Sequence, residues 1–240
     1  MKITSTLILI ASVTLSLLVN AAEPLPMPQF EQTPETLTLT ELESEIPKLN
    51  RAVGAYPAMF YNVNHKMQVY KSWTNLLGAT LILKPNSKIE ATRKVHLIAT
   101  LFVQGYNMNV IGAADKAHDA IDFCLKVAPQ STQCHLLSAM FYMSADVEKL
   151  DDVKHTLDNL QTTLGKNKHA DVEIALAYYY VYANDYNNAL TQIELVEVFF
   201  EDLKHDSIKK YRLKQLREMK AAILDEQAKI MKKEIMQKKK

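Results

Sequence analysis

The sequence predicts an all-α protein built from helical hairpins, and three observations support this prediction. Glycine is scarce, with 5 residues in 240, and most of the 8 prolines lie before Pro57. Apolar residues recur at spacings of three and four in one segment after another from Thr40 onward. No stretch alternates between apolar and polar residues in the manner of a half-buried strand. The 48% apolar content is enough to build a large core.

Residues 1–22 have the pattern of a signal peptide. A positive start at Lys2 is followed by an apolar run from Thr6 to Val19, which is short for a membrane span. Small residues at the end of this run predict cleavage after Ala21 or Ala22, and retention as an N-terminal anchor is the alternative. The sequence lacks an Asn-x-Ser/Thr glycosylation site, which favours a bacterial periplasm over a eukaryotic secretory route. We therefore expect an exported protein, periplasmic or otherwise secreted.

Residues 23–39 are rich in proline and acidic residues and show no periodicity. This composition predicts an extended linker or flexible arm, with a peptide motif read by another protein as the alternative. Helical periodicity starts in the following region, residues 40–87, for which we expect an N-terminal helical region. Thr40–Glu43 and Ser87–Glu90 both match the capping box, with a hydroxyl first and a carboxylate three residues later. These signals contribute to helices predicted at 40–55, 61–83, 88–104, 113–128, 132–145, 148–163, 170–183, 187–203 and 207–235.

The two cysteines flank a predicted helix–turn–helix. Pro129 should end the first helix, and Ser131 or Thr132 can cap the second. Cys124 and Cys134 then lie five residues on either side of the proline, where an antiparallel hairpin brings positions together. In an oxidising compartment they are candidates for a disulfide. Two buried free thiols are the alternative, because cysteine packs well as a small apolar residue.

The stretch LAYYYVYANDYNNAL contains a pattern of large, small and aromatic residues at fixed spacings. A large apolar residue is followed by a small one, by two aromatic residues and by an alanine. These positions are Leu176, Ala177, Tyr180, Tyr186 and Ala189. The pattern resembles the tetratricopeptide repeat (TPR) family. The resemblance implies that small residues let two helices approach closely while Tyr180 and Tyr186 fill the core beside them. Asn184 and Asp185 would form the turn, and Asn187 could cap the second helix.

Earlier segments resemble the same repeat less closely. Residues 113–129 match a second repeat helix that ends at the usual proline, and the family spacing then leads to Ala139 and Tyr142. The first unit matches at Ile98, Ala99 and Phe102 but carries an insertion at residues 104–112. The resemblance thus covers residues 88–203 in degenerate form and implies a right-handed superhelix. A generic array of helical hairpins is the alternative.

The resemblance also implies a function, because repeats of this family hold a peptide or partner helix on their concave face and carry out no chemistry. The face is lined by the first helix of each unit. In the second unit these positions are Gln133, Leu136, Met140 and Met143, and in the third they are Asp171, Ile174, Tyr178, Val181 and Tyr182. Tyrosine and methionine suit a binding surface. The alternative is that Met140, Met143 and Ile174 pack against neighbouring helices.

Residues 204–240 are predicted to form a basic C-terminal helix. Lysine and arginine crowd one face, and the apolar residues near the other are Leu213, Leu216, Met219, Ile223, Ile230 and Ile235. Such a helix usually caps the last unit of a repeat array. Because this one is longer than a cap requires, contact with a membrane surface or a partner helix is the alternative.

The sequence shows few signs of catalysis. The net charge of +1 gives no support for a nucleic-acid partner. Phosphate-binding loops, a nucleophile elbow and zinc-site motifs do not occur in the sequence. Asp115, His118 and Asp122 share one helix face, but ordinary surface charge explains them, so we expect no metal and no cofactor. We predict a scaffold that is not an enzyme. An adaptor bound to a membrane surface and an enzyme with an unmarked site are the alternatives.

Overall fold

The computed structural model describes residues 23–30, 34–165, 169–201 and 206–238, although the side chains of 206–209, 211–212, 233–235 and 238 are outside the description. The described residues are mostly helical and contain no strand, which confirms the all-α prediction. The chain divides into two compact units, Met1–Ala128 and Pro129–Lys240. The predicted signal peptide, residues 1–22, lies outside the described residues.

The helices agree with the predicted segments to within a few residues, except that the first predicted helix is broken into three short pieces. The first unit contains α1 (Leu39–Glu45), a 3-10 turn (Ile46–Leu49), α2 (Asn50–Val53), α3 (Val63–Ile82), α4 (Lys88–Asn107) and α5 (Ala113–Val127). The second contains α6 (Thr132–Ala145), a 3-10 turn (Val147–Lys149), α7 (Leu150–Leu164), α8 (Ala170–Tyr182), α9 (Tyr186–Glu201) and α10 (Asp206–Lys238).

The capping box of α1 lies two residues earlier than predicted. The Thr38 hydroxyl accepts from the Glu41 backbone N–H at 3.3 Å, and the Glu41 carboxylate accepts from the Thr38 N–H at 2.8 Å. The prediction of a box at Thr40–Glu43 is therefore wrong. The earlier start places Leu39 and Leu42 in the core. Burial of these leucines decides between two overlapping matches to the same motif.

Side chains at the start of α4 form hydrogen bonds to the loop that connects α3 and α4. Ser87 caps α4 as predicted, accepting from the Glu90 N–H at 3.1 Å. The Glu90 carboxylate accepts from the Asn86 N–H at 2.7 Å. In a standard capping box it would accept from the N–H of the cap residue, Ser87. Lys94 donates to the Leu83 carbonyl at 2.7 Å, just after the end of α3. The carbonyl groups that a helix end leaves unpaired thus find a partner on the next helix.

The core of the first unit is centred on Trp73, which is fully buried. Its indole N–H donates to the Leu101 carbonyl of α4 at 2.7 Å, which satisfies the polar atom of a large aromatic residue. Leu42, Ile46 and Leu77 are buried in the same cluster. This cluster holds α1, α3 and α4 together.

Amide side chains of α4 hold the α1–α2 segment in place. The Gln104 amide donates to the Ile46 carbonyl at 3.2 Å and to the Asn50 side chain at 2.8 Å. The Asn107 amide donates to the Val53 carbonyl at 2.8 Å. Both donors are buried, so loss of either contact would leave a buried polar group unpaired, and the bonds help to fix the path of the short helices.

The proline-rich segment at residues 23–30 runs in extended form against the first unit. The Leu25 N–H donates to the Asn109 carbonyl at 3.0 Å, and the Leu25 carbonyl accepts from the Ile111 N–H at 2.9 Å. This pairing is an isolated parallel bridge between Leu25 and Val110. The Leu25 side chain is buried in the core.

Two side chains of α3 bind main-chain oxygens of the same segment. Lys66 donates to the Glu23 carbonyl at 2.8 Å, and Tyr70 donates to the Pro26 carbonyl at 2.6 Å. The contacts recognise an extended backbone, with Leu25 as the buried side chain. Main-chain recognition of this kind leaves little trace in side-chain periodicity.

In the second unit, α6 packs against both α7 and α8, while α9 packs against α8 and α10. The small residues proposed to permit close approach, Ala139, Ala177 and Ala189, are all buried. Their burial agrees with the predicted tight packing between neighbouring helices.

The predicted disulfide is confirmed. Neither cysteine is free, and Cys124 and Cys134 are both disulfide-bonded. Because the sequence contains only 2 cysteines, they bond to each other. The alternative of two buried free thiols is therefore wrong.

Candidate interaction surface

The surface is built around α8, whose sequence ADVEIALAYYYVY is apolar over most of its circumference. Val172, Ala175, Leu176 and Ala177 are buried. A helix that is apolar nearly all round must contact other elements on several sides. Its neighbours are α6, α7 and α9, so α8 lies centrally in the second unit.

The turn after α8 has the predicted location but a different cap. Asn184 adopts the left-handed conformation, with φ of 59°, which asparagine tolerates better than most residues. The Asp185 carboxylate accepts from the Asn188 backbone N–H at 3.3 Å and from its side-chain amide at 2.6 Å. The prediction that Asn187 caps α9 is therefore wrong, because the helix begins one residue earlier, at Tyr186.

The tyrosines of this region divide into two sets. Tyr186 is buried, as predicted. Tyr180, also predicted as a core residue, is only half-buried and packs against both apolar clusters of the unit. Tyr179 meets Tyr180 edge to face, with ring centroids 5.4 Å apart. The Lys154 ammonium lies 5.9 Å from each of these two rings. Tyr179 and Tyr180 therefore belong to the packing between α7 and α8.

The ion pair of Lys154 accounts for the electrostatics on this side of α8. Its ammonium lies 2.6 Å from both carboxylate oxygens of Asp158. Burial is the largest single effect and lowers the pKa of Lys154, but the hydrogen bond to Asp158 and the fields of Asp158, Tyr179 and Tyr180 together outweigh it, so the net pKa is raised. Burial also raises the pKa of Tyr179. Both groups therefore keep their ordinary charge at neutral pH.

The other set, Tyr178 and Tyr182, is half-buried and packs against the cluster formed by α6, α7 and α8. Leu136 and Met140 of α6 are half-buried against the same cluster. These four side chains place aromatic and flexible apolar groups, partly open to solvent, along two neighbouring helices. We call them the α6–α8 surface.

The remaining predicted positions are more scattered. Gln133 and Asp171 are exposed, near the N-terminal ends of α6 and α8. Ile174 and Val181 are half-buried but pack against the cluster formed with α9 and α10. Met143 is only 1% exposed and lies in the core. The accessible part of the predicted set is thus centred on the tyrosines and Met140.

Glu173 is a buried charged residue that the sequence analysis missed. It is 1% exposed, and its carboxylate accepts from the Gln161 amide at 3.1 and 2.9 Å and from the Gln192 amide at 2.5 Å. The three residues belong to α8, α7 and α9. One feature of the sequence could have revealed it: Glu173 is an acidic residue in an otherwise apolar stretch, between Val172 and Ala175. The network holds the three helices in one register.

The described parts of the chain contain no group of three or more His, Cys, Asp or Glu side chains that could hold a metal ion. His118 and Asp122 do lie on one face of α5, with side-chain atoms 3.5 Å apart, but both are exposed. Among the described helices, none combines the length and apolar content needed to cross a membrane.

Comparison with protein-family models, with curated proteins and with solved structures finds no match to this chain.

Proposed function

We propose that this protein is an exported, non-catalytic interaction scaffold that serves a cell-envelope assembly. Its α6–α8 surface would bind a peptide or a partner helix. The observation that carries the proposal is the pairing of half-buried Tyr178 and Tyr182 with half-buried Leu136 and Met140 on neighbouring helices. Partly open aromatic and methionine side chains are enriched where proteins bind one another.

The residues beneath the α6–α8 surface hold its helices in a rigid arrangement, which suits binding. Glu173 fixes α8 against α7 and α9 through its two glutamine partners. Buried Ala139 and Ala177 allow close helix packing. A rigid framework reduces the entropy lost on association, because few groups need to be ordered when the partner arrives. The tyrosine hydroxyls add polar contacts at the rim of an apolar surface.

The resemblance to the TPR family supports the same surface. In that family the first helices of successive units are neighbours and line the concave face. Here α6 and α8 are the corresponding helices, and they pack against each other. We extend the proposal to a TPR-like superhelical arrangement, with the α6–α8 surface as part of its concave face.

Export is part of the proposal and has one further support. The disulfide between Cys124 and Cys134 is of the kind that persists in oxidising compartments such as the bacterial periplasm. The apolar run from Thr6 to Val19 would supply the route to that compartment.

A second candidate function is membrane-surface association through the end of α10. Ile223 is buried against the second unit, whereas Ile230, Met231 and Met236 are exposed. Lysines surround these apolar side chains in the sequence, a combination that suits an anionic membrane surface. Removal of the residues after Ala228 should then abolish binding to anionic vesicles.

The α6–α8 surface is tested by capture from an envelope extract. The Tyr178→Ala/Tyr182→Ala variant should lose a partner that the parent chain retains, because the two main aromatic contacts are removed. The Tyr179→Ala variant is the matched control, since Tyr179 lies on the same helix but faces Lys154. Equal recovery of every partner by all three proteins would refute the proposed surface.

A further inference from the structure

The first unit has an exposed apolar patch of its own, formed by the loop between α2 and α3 and by the first turns of α3. Its members share high exposure: Tyr56 (45%), Met59 (61%), Tyr61 (88%), Val63 (50%) and Met67 (48%). We call this set the loop patch. Large apolar side chains are rarely exposed in such a compact group unless they meet another surface.

The loop patch is held in a defined conformation. The Ala58 N–H donates to the Asn107 carbonyl of α4 at 3.0 Å, which anchors the middle of the loop. The ring of Tyr61 lies 4.7 Å from the imidazole of His65. The Asn62 side chain caps α3, accepting from the His65 N–H at 2.9 Å. The exposed side chains are therefore carried by a fixed loop and a helix end.

The surrounding sequence lacks acidic residues over an unusual length. No Asp or Glu occurs between Glu45 and Glu90, although the chain contains 27 acidic residues in total. Lys71 is exposed one turn after Met67 on the same face of α3. Glu23 lies beside the first turn of α3, where its main-chain carbonyl accepts from Lys66. The segment that carries the patch thus holds basic residues and no acidic ones, which would suit an anionic occupant.

Glu23 lies beside the start of α3. Lys66 belongs to the first turn of α3 and donates to the Glu23 carbonyl. The apolar run from Thr6 to Val19 ends only three residues before Glu23. A retained run would hold this end of α3 at a membrane. Cleavage after Ala22 would leave a positive α-ammonium group there.

We propose that the loop patch docks onto an anionic lipid surface. Tyr61 and Met59 would enter the interfacial layer, where tyrosine is favoured because its ring is apolar and its hydroxyl stays hydrated. Lys71 would bind lipid phosphate at the edge of the contact. This function belongs to the first unit and does not depend on the α6–α8 surface or on the end of α10.

A tryptophan reporter in the full chain tests this proposal. The protein contains one tryptophan, Trp73, which is fully buried and gives a constant background. In the Tyr61→Trp variant, emission should shift to the blue and be quenched by brominated lipid in vesicles that contain phosphatidylglycerol. A Val198→Trp variant is the matched control, since Val198 is 60% exposed but lies on α9. Its emission should not change. Truncation after Ala228 should leave the Tyr61→Trp signal intact.

A second variant measures the contribution of the patch to affinity. Tyr61→Ser/Val63→Ser/Met67→Ser should weaken partition into these vesicles about tenfold or more, because three apolar side chains are lost. Partition of the parent chain should fall with added salt and be weak in phosphatidylcholine alone. Unchanged Tyr61→Trp emission, or equal quenching at both reporters, would overturn the proposal. If a protein fraction, and not the vesicles, shielded residue 61 from solvent, the occupant would be an acidic protein partner. The lipid proposal would then be overturned.

Discussion

The indole ring of Trp73 lies directly against the α-carbon of Gly105. A β-carbon placed on Gly105 would be 2.7 Å from the Trp73 ring and 3.2 Å from the β-carbon of Ala113. Gly105 lies in the last turn of α4, and glycine within a helix costs up to about 1 kcal/mol relative to alanine. Close approach of α3, α4 and α5 explains why this cost is tolerated.

Gly105→Ala should lower the free energy of unfolding by about 1–3 kcal/mol, since overpacking outweighs the gain in helix propensity. The measurement is urea unfolding followed by circular dichroism. In a Trp73→Phe background, the ring atoms that clash are absent, so the same substitution should cost much less. Equal costs in both backgrounds would show that the contact does not determine the choice of glycine.

Glu173→Ala should lower the free energy of unfolding by about 1–3 kcal/mol, because it leaves two half-buried amides without their acceptor. Those amides belong to Gln161 and Gln192. Asp171→Ala is the control, since Asp171 is exposed on the same helix turn, and it should change stability by less than about 0.5 kcal/mol. Similar unfolding midpoints for the two variants would contradict a structural role for the network.

Most helices were predictable because periodicity, proline and capping residues agree with one another. The start of α1 was not, because two overlapping sequences match the capping box and only the burial of Leu39 and Leu42 selects one. Residues 23–30 were predicted as a linker or arm. Their bonding to Lys66 and Tyr70 uses main-chain oxygens, which no side-chain pattern can reveal.

The candidate surface was predictable only in part. Local spacing is enough to place Tyr178 and Tyr182 on one face of α8. It cannot show which neighbouring helix covers a given side chain, and so it could not separate buried Met143 from half-buried Met140. Glu173 was missed for the same reason, because its partners are 12 and 19 residues away in sequence.

Stability should fall as the pH is lowered, partly through His96. Burial lowers its pKa, and the opposing field of Glu43 is the smaller effect. Because the folded-state pKa lies below the unfolded value, the unfolded chain binds the proton more readily. Stability is therefore full above about pH 6.5, the ordinary histidine value, and is lost as the pH falls through the lower folded value.

The His96→Gln variant should show a weaker loss of stability between neutral and mildly acidic pH than the parent chain. His118→Gln is the control, because His118 is exposed on α5. The measurement is the urea midpoint as a function of pH. Identical pH profiles for the parent and His96→Gln would exclude this histidine as a source of the acid sensitivity.

Loss of the disulfide should lower the free energy of unfolding by about 2–3 kcal/mol on the chain-entropy model. The Cys124→Ser/Cys134→Ser variant and the reduced parent chain should unfold at similar urea concentrations. A reducing agent should not shift the variant. Peptide mapping under non-reducing conditions, on protein isolated from cells without a reducing agent, provides the direct check. Two free thiols in that protein would contradict the bond.

Gly78→Ala should release the N-terminal segment from the first unit without unfolding the unit itself. The new β-carbon would be 2.8 Å from the Phe30 ring and 2.9 Å from the Pro34 ring, both of which belong to the flanking segment and not to α3. Alanine also favours the helix by about 1 kcal/mol, so α3 should gain stability while the segment loses its contact. Asn75→Ala, at an exposed position on the same helix, is the matched control.

Hydrogen exchange at the Ile111 amide reports on this release, because that amide donates to the Leu25 carbonyl. In Gly78→Ala the amide should exchange faster, while core amides of α4 such as that of Leu101 should keep their protection. Asn75→Ala should leave both unchanged. If Ile111 and Leu101 lost protection together, the segment would be an integral part of the fold, because its displacement would then cost the global stability of the unit.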